Sequence, residues 1–411
     1  MSLFASPKID LKTSNENAFT AVGLFAGIGG IELGLKQAGW TTKLLCEIDP
    51  LAQAVLSSQF NLPMEDIVAD VRDIRGLSTA SVLAGGFPCQ DLSQAGKTAG
   101  ISGAKSGLVG EVFRLLETCQ PKWLLLENVP FMLQLDRGKA MDFLATELER
   151  RGFTWAYRTV NTRSFGLPHR RKRVILVASQ THDPRGILLN EDAGEPNEKD
   201  WRGRANGFYW TEGLRGVGWG VDCVPTLKCG SSVGIPSPPA IWLPEGRYKY
   251  RIVTPTIEQA EMLQGFPKGW TQTDPDCKKA EKARWKMIGN SVSVPVSQWV
   301  GNRLRDPQEY LHGAIQVDLL RNKWPTAAWG NACSGRFAVP VSAWPVRKRR
   351  RSLSSLLGDA SMCKPLSERA TAGFLSRLER STLKVGGSRE DLIDSLKKHI
   401  TSMRSQGKTP R

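Results

Sequence analysis

The chain has 411 residues, is 40% apolar, and carries a formal net charge of +16 with eight cysteines and four histidines. No run of 18 apolar residues occurs, the first 20 residues lack the apolar core of an export signal, and no Cys-x-x-Cys pair is present. These features argue against a membrane span, a secretory leader and a zinc site, and they fit a reducing cytoplasm. The length suits two or three domains, and the charge calls for a polyanionic partner, nucleic acid first.

Thr20 to Phe25 reads as a short apolar strand, Ala26-Gly27-Ile28-Gly29-Gly30 as a turn, and Ile31 to Ala38 as a helix. Strand, glycine turn and helix open a nucleotide-binding βαβ unit, because glycine lets the backbone approach a ligand. A second strand, Thr42 to Cys46, ends at Glu47, which lies 20 residues after Gly27 and at the distance where an acid meets ribose hydroxyls. A third segment from Asp66 ends at Asp70. The full dinucleotide fingerprint is missing, so the turn and its two acids favour an adenosine-type ligand over a purely structural turn.

Ser81 to Ala84 predicts the end of a buried strand, stopped by Gly85, Gly86 and Pro88 just before Cys89. Open α/β folds carry reacting groups on such turns, although most cysteines are small buried hydrophobes; residue type alone leaves both readings open. Residues 95–110 read as a glycine-rich, basic loop, and Glu111 to Thr118 as a helix. The strand Pro121 to Leu126 ends at Glu127, either a site carboxylate on the same sheet edge or a cap for the next element. Arg171 and Arg173 enter the strand Val174 to Ala178 from one face, as anion ligands or as part of a solvated charge run.

Residues 181–250 lack helical periodicity and mix Gly and Pro with Trp201, Trp210, Trp219 and Trp242 and with Arg202, Arg204, Arg215, Lys228 and Arg247. Such a stretch suits reading of base edges, and equally a loop-rich unit held by buried tryptophans. Gly289 to Pro295 opens a helix, Val296 to Leu304, whose polar start either caps it or meets a ligand. The run Arg347 to Arg351 is a phosphate contact or a solvated tail, and residues 365–400 pattern as two helices broken near Gly386-Gly387-Ser388.

Six segments in this order resemble the DNA cytosine-5 methyltransferases: Phe25-Ala-Gly-Ile-Gly-Gly30, Pro88-Cys-Gln90, Glu127-Asn-Val129, Arg171-Lys-Arg173, Thr254 to Glu258 with Leu263 to Pro267, and Gly289-Asn-Ser-Val292, all within residues 20–305. The resemblance implies an α/β fold: a Rossmann-like S-adenosylmethionine-dependent methyltransferase sheet with a second, smaller, loop-rich target-recognition domain. It places a catalytic, cofactor-binding domain in residues 1–180, completed by 285–305, and a target-recognition domain in 181–284. Residues 306–411 are left as a basic C-terminal extension of unknown role.

By resemblance Cys89 is the nucleophile, Glu127 holds the base through its exocyclic amine and ring N3, Arg173 contacts the base oxygen or activates the thiol, and Arg171 holds a phosphate. Phe25, Gly27, Gly29, Glu47, Ile48, Asp70, Asn290 and Val292 are the implied cofactor residues. Gln90, Ser93, Arg202, Arg204, Thr226 and Lys228 are the implied DNA contacts. No metal is expected. The implied partner is duplex DNA, with a cognate restriction endonuclease acting on the same sequence without direct contact. The implied setting is a monomer in the cytoplasm of a bacterial or phage-infected cell. Two rival readings are an RNA (tRNA) cytosine-5 methyltransferase and a non-catalytic DNA-binding relative. One departure stands out: the family usually has Gln where His169 stands.

Overall fold

The computed structural model describes residues 19–77, 80–88, 107–198, 200–211, 217–229, 237–243, 250–273, 278–311, 315–316, 324–359, 362–382, 385 and 389–406. Its centre is a ten-stranded sheet. In chain order the first strands are β1 (Thr20–Leu24), β2 (Thr41–Cys46), β3 (Ile67–Val68), β4 (Val82–Gly85), β5 (Trp123–Asn128) and β6 (Thr154–Asn161). The two-residue β7 (His169–Arg170) precedes β8 (Lys172–Ser179). Strands β3, β2, β1, β4 and β5 are parallel neighbours; β8 joins β5 antiparallel, and β6 joins β8 antiparallel.

Alternation along the strands builds two layers. Leu83, Leu124 and Leu126 face a core shared with helices at Leu108–Cys119 and Lys139–Arg150, whereas Val82, Ala84, Trp123 and Leu125 face the opposite core. Burial on both faces is why β4 and β5 read as unbroken apolar runs. The second core is covered by α1 (Gly30–Gln37) and by a helix returning from far along the chain, α2 (Val294–Arg305). The two helices meet closely because α1 is glycine-bearing at the contact: a Cβ on Gly30 would stand 2.4 Å from the Val292 carbonyl oxygen, and one on Gly34 would stand 2.4 Å from the Ser297 Cβ.

The smaller unit is an antiparallel sheet with the order β10-β9-β12-β13-β17. It comprises β9 (Asn206–Phe208), β10 (Gly220–Val221), β12 (Ala240–Trp242), β13 (Ile252–Thr254) and β17 (Lys364–Pro365), while β11 (Val224–Pro225) pairs instead with β7. Its aromatic side chains fill its own core. Trp201 stacks on Trp242 with ring centres 5.1 Å apart, and Phe208 on Phe374 at 5.0 Å. Two helices at Glu368–Glu379 and Arg389–Gln406 pack there through Leu378, Leu392 and Leu396, in line with the helical pattern of that stretch.

Residues beyond 306 are thus shared between the two sheets. Strands β14 (Ile315–Gln316), β15 (Ala327–Asn331) and β16 (Gly335–Ala338) extend the large one past β6, and β17 closes the small one.

Candidate active site

The register aligns Leu24 with Cys46 and Gly85, and Gly85 with Leu126, so the chain leaves four parallel strands at one edge. Phe25, Glu47, Gly86 and Glu127 are the residues just past that line or at it. The turn after β1 uses left-handed backbone at Phe25 (φ 53°), Gly27 (φ 57°) and Gly29 (φ 82°). A bulky residue held there is strained, a feature that clusters at ligand sites. A Cβ on Gly27 would meet nothing within 4 Å: the backbone faces open space. Trp270 steadies the turn from the C-terminal half, its indole donating to the Ile28 carbonyl at 2.8 Å.

That space is a cavity of about 560 Å³, within the roughly 300–1,000 Å³ usual for ligand sites. Phe25, Gly27, Glu47, Ile48, Asp70, Phe87, Pro88, Glu127, Arg173 and Asn290 all line it. The Glu47 carboxylate accepts from Gly27 N at 2.7 Å and from Asp49 N at 2.8 Å, one bond to each oxygen. Each oxygen keeps a lone pair for a ribose hydroxyl. Asp70 accepts from the Arg72 guanidinium and backbone N–H, and these bonds lower its pKa to about 2. Apolar Phe25, Ile28, Val71 and Phe87 complete the wall. A wall with anionic acceptors, apolar faces and an open glycine backbone fits an adenosyl ligand.

At the other end of the cavity Glu127 is 8% exposed, with Arg173 Nε 2.8 Å from its Oε1. Burial pushes the Glu127 carboxyl up, and the charges of Arg173 and Arg171 pull against it. A Cβ on Gly86 would stand 3.2 Å from Glu127 Oε2, so glycine there keeps the carboxylate accessible. Asn128 donates to the Phe87 carbonyl at 3.0 Å and so ties the Phe87-Pro88 segment to β5.

Arg171 lies elsewhere than its expected role requires. It is 1% exposed, and its guanidinium donates to the carbonyls of Ser291 (2.6 Å) and Leu227 (3.4 Å). No phosphate can reach it. It shares the face of Arg173, but Leu227 and Ser291 cover it. It fastens the small unit and the Ser291 turn to the large sheet.

His169 belongs to the same fastening. Its buried ring accepts from Leu227 N at 3.0 Å and lies 3.2 Å from the Leu263 carbonyl, which assigns the proton to Nδ1; burial and the two nearby arginines hold it neutral.

Gly29 and Val292 do not line the cavity. Gly29 caps α1 against the Phe60 ring, and Val292 packs in the core below α1. Among the expected DNA contacts, Thr226 spends its hydroxyl on the Arg170 carbonyl at 2.9 Å, whereas Lys228 and Arg202 are exposed, over the rings of Tyr209 and Trp201. Arg204 lines a second cavity of about 440 Å³ with Trp201, Trp242 and Arg251. Cys89, Gln90, Ser93, Arg215 and Arg247 lie outside the described residues. Sequence reasoning missed Asn128, Trp270 and the pair Lys286–Asp49 (3.5 Å), whose residues both sit on the cavity wall. Asn128 was signalled by its place beside Glu127; Trp270 and Lys286 carry no signal outside the fold.

Such a sheet edge, with a glycine turn, a carboxylate at a strand end and a buried carboxyl–guanidinium pair in one cavity, is the ligand edge of a nucleotide-binding α/β fold. Residues 19–201 match the C-5 cytosine-specific DNA methylase family, and the chain belongs to it. It is 49% identical over 377 residues to the type II methyltransferase M2.BsuMI of Bacillus subtilis, covering 88% of this chain and 93% of that relative. It is 30% identical over 337 residues to the type II methyltransferase M.HaeII of Haemophilus aegyptius, covering 74% and 99%. The fold is that of the S. pombe Dnmt2 methyltransferase crystal structure (TM-score 0.51, 16% identity, 70% of this chain and 99% of that one). The chain is accordingly a DNA (cytosine-5) methyltransferase of the type II class. No described helix is long and apolar enough to cross a membrane, and no described group of His, Cys, Asp and Glu could hold a metal.

Proposed function

We propose that the protein methylates carbon 5 of a cytosine within a short, specific sequence of duplex DNA, with S-adenosylmethionine as donor, as the modification half of a restriction–modification pair. The carrying observation is the single cavity, whose wall runs from Gly27, Glu47 and Asp70 to Glu127 and Arg173. S-adenosylmethionine, when bound, supplies a methyl group on a cationic sulfur. Glu47 and Asp70 would hold its ribose and adenine, and Asn290 would close the pocket from the far end of the chain.

Carbon 5 of cytosine is too weak a nucleophile to take that methyl unaided, and it is stacked inside the duplex, so the base must be extruded into the cavity. The Cys89 thiolate, next in the chain after Pro88 on the wall, bonds to carbon 6 and pushes an electron pair towards carbon 5 and N3. A proton on Glu127, which burial favours, would pass to N3 and so neutralise the charge building there. Arg173 keeps that carboxyl oriented through its Nε, spends Nη1 on the Lys172 carbonyl, and would present Nη2 to the base. Carbon 5 spends that pair on the methyl, whose bond to the donor sulfur breaks and leaves the sulfur neutral; the proton on carbon 5 then leaves to a base, the bond from carbon 6 to the Cys89 sulfur breaks, and the thiolate is restored.

Bisulfite sequencing of DNA from cells expressing the chain should show one short sequence protected at a single cytosine. Purified protein should transfer labelled methyl to duplex DNA and not to tRNA. Transfer to tRNA alone would overturn the reading.

A further inference from the structure

The basic run Arg347 to Arg351 is fixed in place, far beyond residues 19–201 that carry the family match. It crosses the loop between β6 and β7 as an extended strap. Lys348 N donates to the Ser164 carbonyl at 3.0 Å, and Arg351 N donates to the Gly166 carbonyl at 3.0 Å. The Ser164 hydroxyl donates to the Val346 carbonyl. Gly166 has φ 94°, and a Cβ there would stand 2.7 Å from the Arg349 carbonyl oxygen, so the strap lies directly on the turn.

Two of its cations are turned back onto the protein: Arg347 donates to the Ala193 carbonyl at 2.9 Å, and Arg350 shares the buried Glu198 carboxylate with Arg163. Lys348, Arg349 and Arg351 are exposed and have no carboxylate partner among the described residues; Arg351 makes one exposed bond, to the Ser355 carbonyl at 3.2 Å. Beyond the strap, Leu353 N donates to Asp222 Oδ1 at 2.8 Å, so the strap bridges the large sheet to the smaller unit.

Its position matters as much as its charge. Strand β6 runs parallel to β5, since both are antiparallel to β8, and Asn161 at its end pairs with Lys172, one residue before Arg173. The loop under the strap therefore emerges at the same sheet edge as Glu127. A run of like charges held rigid repels itself, a cost the fold accepts with a carboxylate among the described residues for only one of the five, Arg350. Prior ordering also removes much of the entropic cost of binding a polyanion.

We propose that this strap is a phosphate-backbone clamp. Lys348, Arg349 and Arg351 grip DNA flanking the target sequence and hold the duplex against the edge where the cytosine is extruded. Five extended residues span on the order of 15 Å, and a duplex strand offers a phosphate about every 3.4 Å of helix rise, so three contacts fit. The proposal rests on the DNA-methyltransferase reading above.

The test uses the full chain, with two duplexes carrying the methylated sequence, one of about 12 base pairs and one of about 30, and measures Kd against salt concentration. The triple variant Lys348→Gln/Arg349→Gln/Arg351→Gln should bind the long duplex roughly tenfold more weakly at 0.1 M salt, and its log–log salt slope should fall by about two to three. Its loss should be much smaller on the short duplex. A control variant at the opposite edge of the sheet, Lys122→Gln/Arg150→Gln, should keep the wild-type slope, and thermal melts establish that both variants fold. An unchanged slope and Kd in the folded triple variant would overturn the clamp. Failure of the wild-type protein to methylate either duplex would instead overturn the reading beneath it.

Discussion

Two carboxylate–arginine pairs sit at opposite ends of one cavity, and burial makes them opposites. Asp70 and Arg72 meet at the wet rim, where the guanidinium's hydrogen bonds hold the Asp70 pKa down to about 2. Glu127 and Arg173 meet at 2.8 Å in a nearly dry site, where burial outweighs the two arginines and the carboxyl moves up. A charged partner stabilises a carboxylate, but desolvation penalises the charge itself. The first pair is a permanent acceptor suited to an adenine amine. The second favours a proton more than a free carboxylate does, as the proposed transfer to a ring nitrogen requires.

The largest effect is expected on the buried side. Glu127→Gln keeps the shape and loses the proton, and kcat should fall by about 10²–10³-fold while the cofactor KM changes little. An equal loss in kcat and cofactor affinity would mean that Glu127 only shapes the pocket. In the wild type, kcat should decline as pH rises through the raised Glu127 pKa, because the proton-bearing form is lost above it. A cofactor KM measured over the same rising range should stay flat on Asp70's account, because Asp70 is already ionised from about pH 2 upward.

A third carboxyl sharpens the contrast. Glu32 is 1% exposed with no hydrogen-bond partner for either oxygen among the described residues, and burial raises it to about 8. Its carboxyl occupies the space a side chain on Gly23 would need, 2.3 Å from the position of that Cβ. The folded state keeps this proton when the unfolded chain has lost it. Stability on its account is therefore full below about pH 4.5 and is lost as pH climbs towards 8. Urea denaturation at pH 5.5 and 8 should show a loss on the order of a few kcal/mol that Glu32→Gln abolishes; an identical pH slope in the variant would contradict it.

The smallest effects belong to the wet pair. Asp70→Asn should raise the cofactor KM about tenfold, as loss of a charged acceptor does. Arg72→Ala should leave KM unchanged at pH 7.5 and raise it a fewfold at pH 4, where Asp70 begins to protonate without its partner.

Much of this was legible in the chain because backbone periodicity and glycine turns are local. The strand from Thr20, the turn at Gly27 and the helix after it follow from adjacent residues, as does the placing of Glu47 and Glu127 at strand ends. What was not legible depends on contacts between distant segments. Arg171 and Arg173 are alike in sequence, and only the packing of Leu227 and Ser291 over the first separates a buried fastener from a site cation. Trp201, Trp219 and Trp242 fitted both a core and a DNA surface in the chain; only the fold brings Trp201 to stack on Trp242 and Trp219 to meet it edge-on against the small unit's core. The run at Arg347 gains meaning only from the loop it crosses, nearly 200 residues earlier in the chain.

The account turns on a thiol adding to a ring that Glu127 polarises. The direct measurement is mass spectrometry of the protein after turnover on duplex DNA with 5-fluorocytosine at the target, where fluorine cannot leave as a proton does. A stable one-to-one protein–DNA adduct is expected, bearing the transferred methyl and mapping to Cys89, and much slower to form in Glu127→Gln. Methylation of ordinary DNA with no adduct on the fluorinated duplex, or an adduct on another residue, would contradict it.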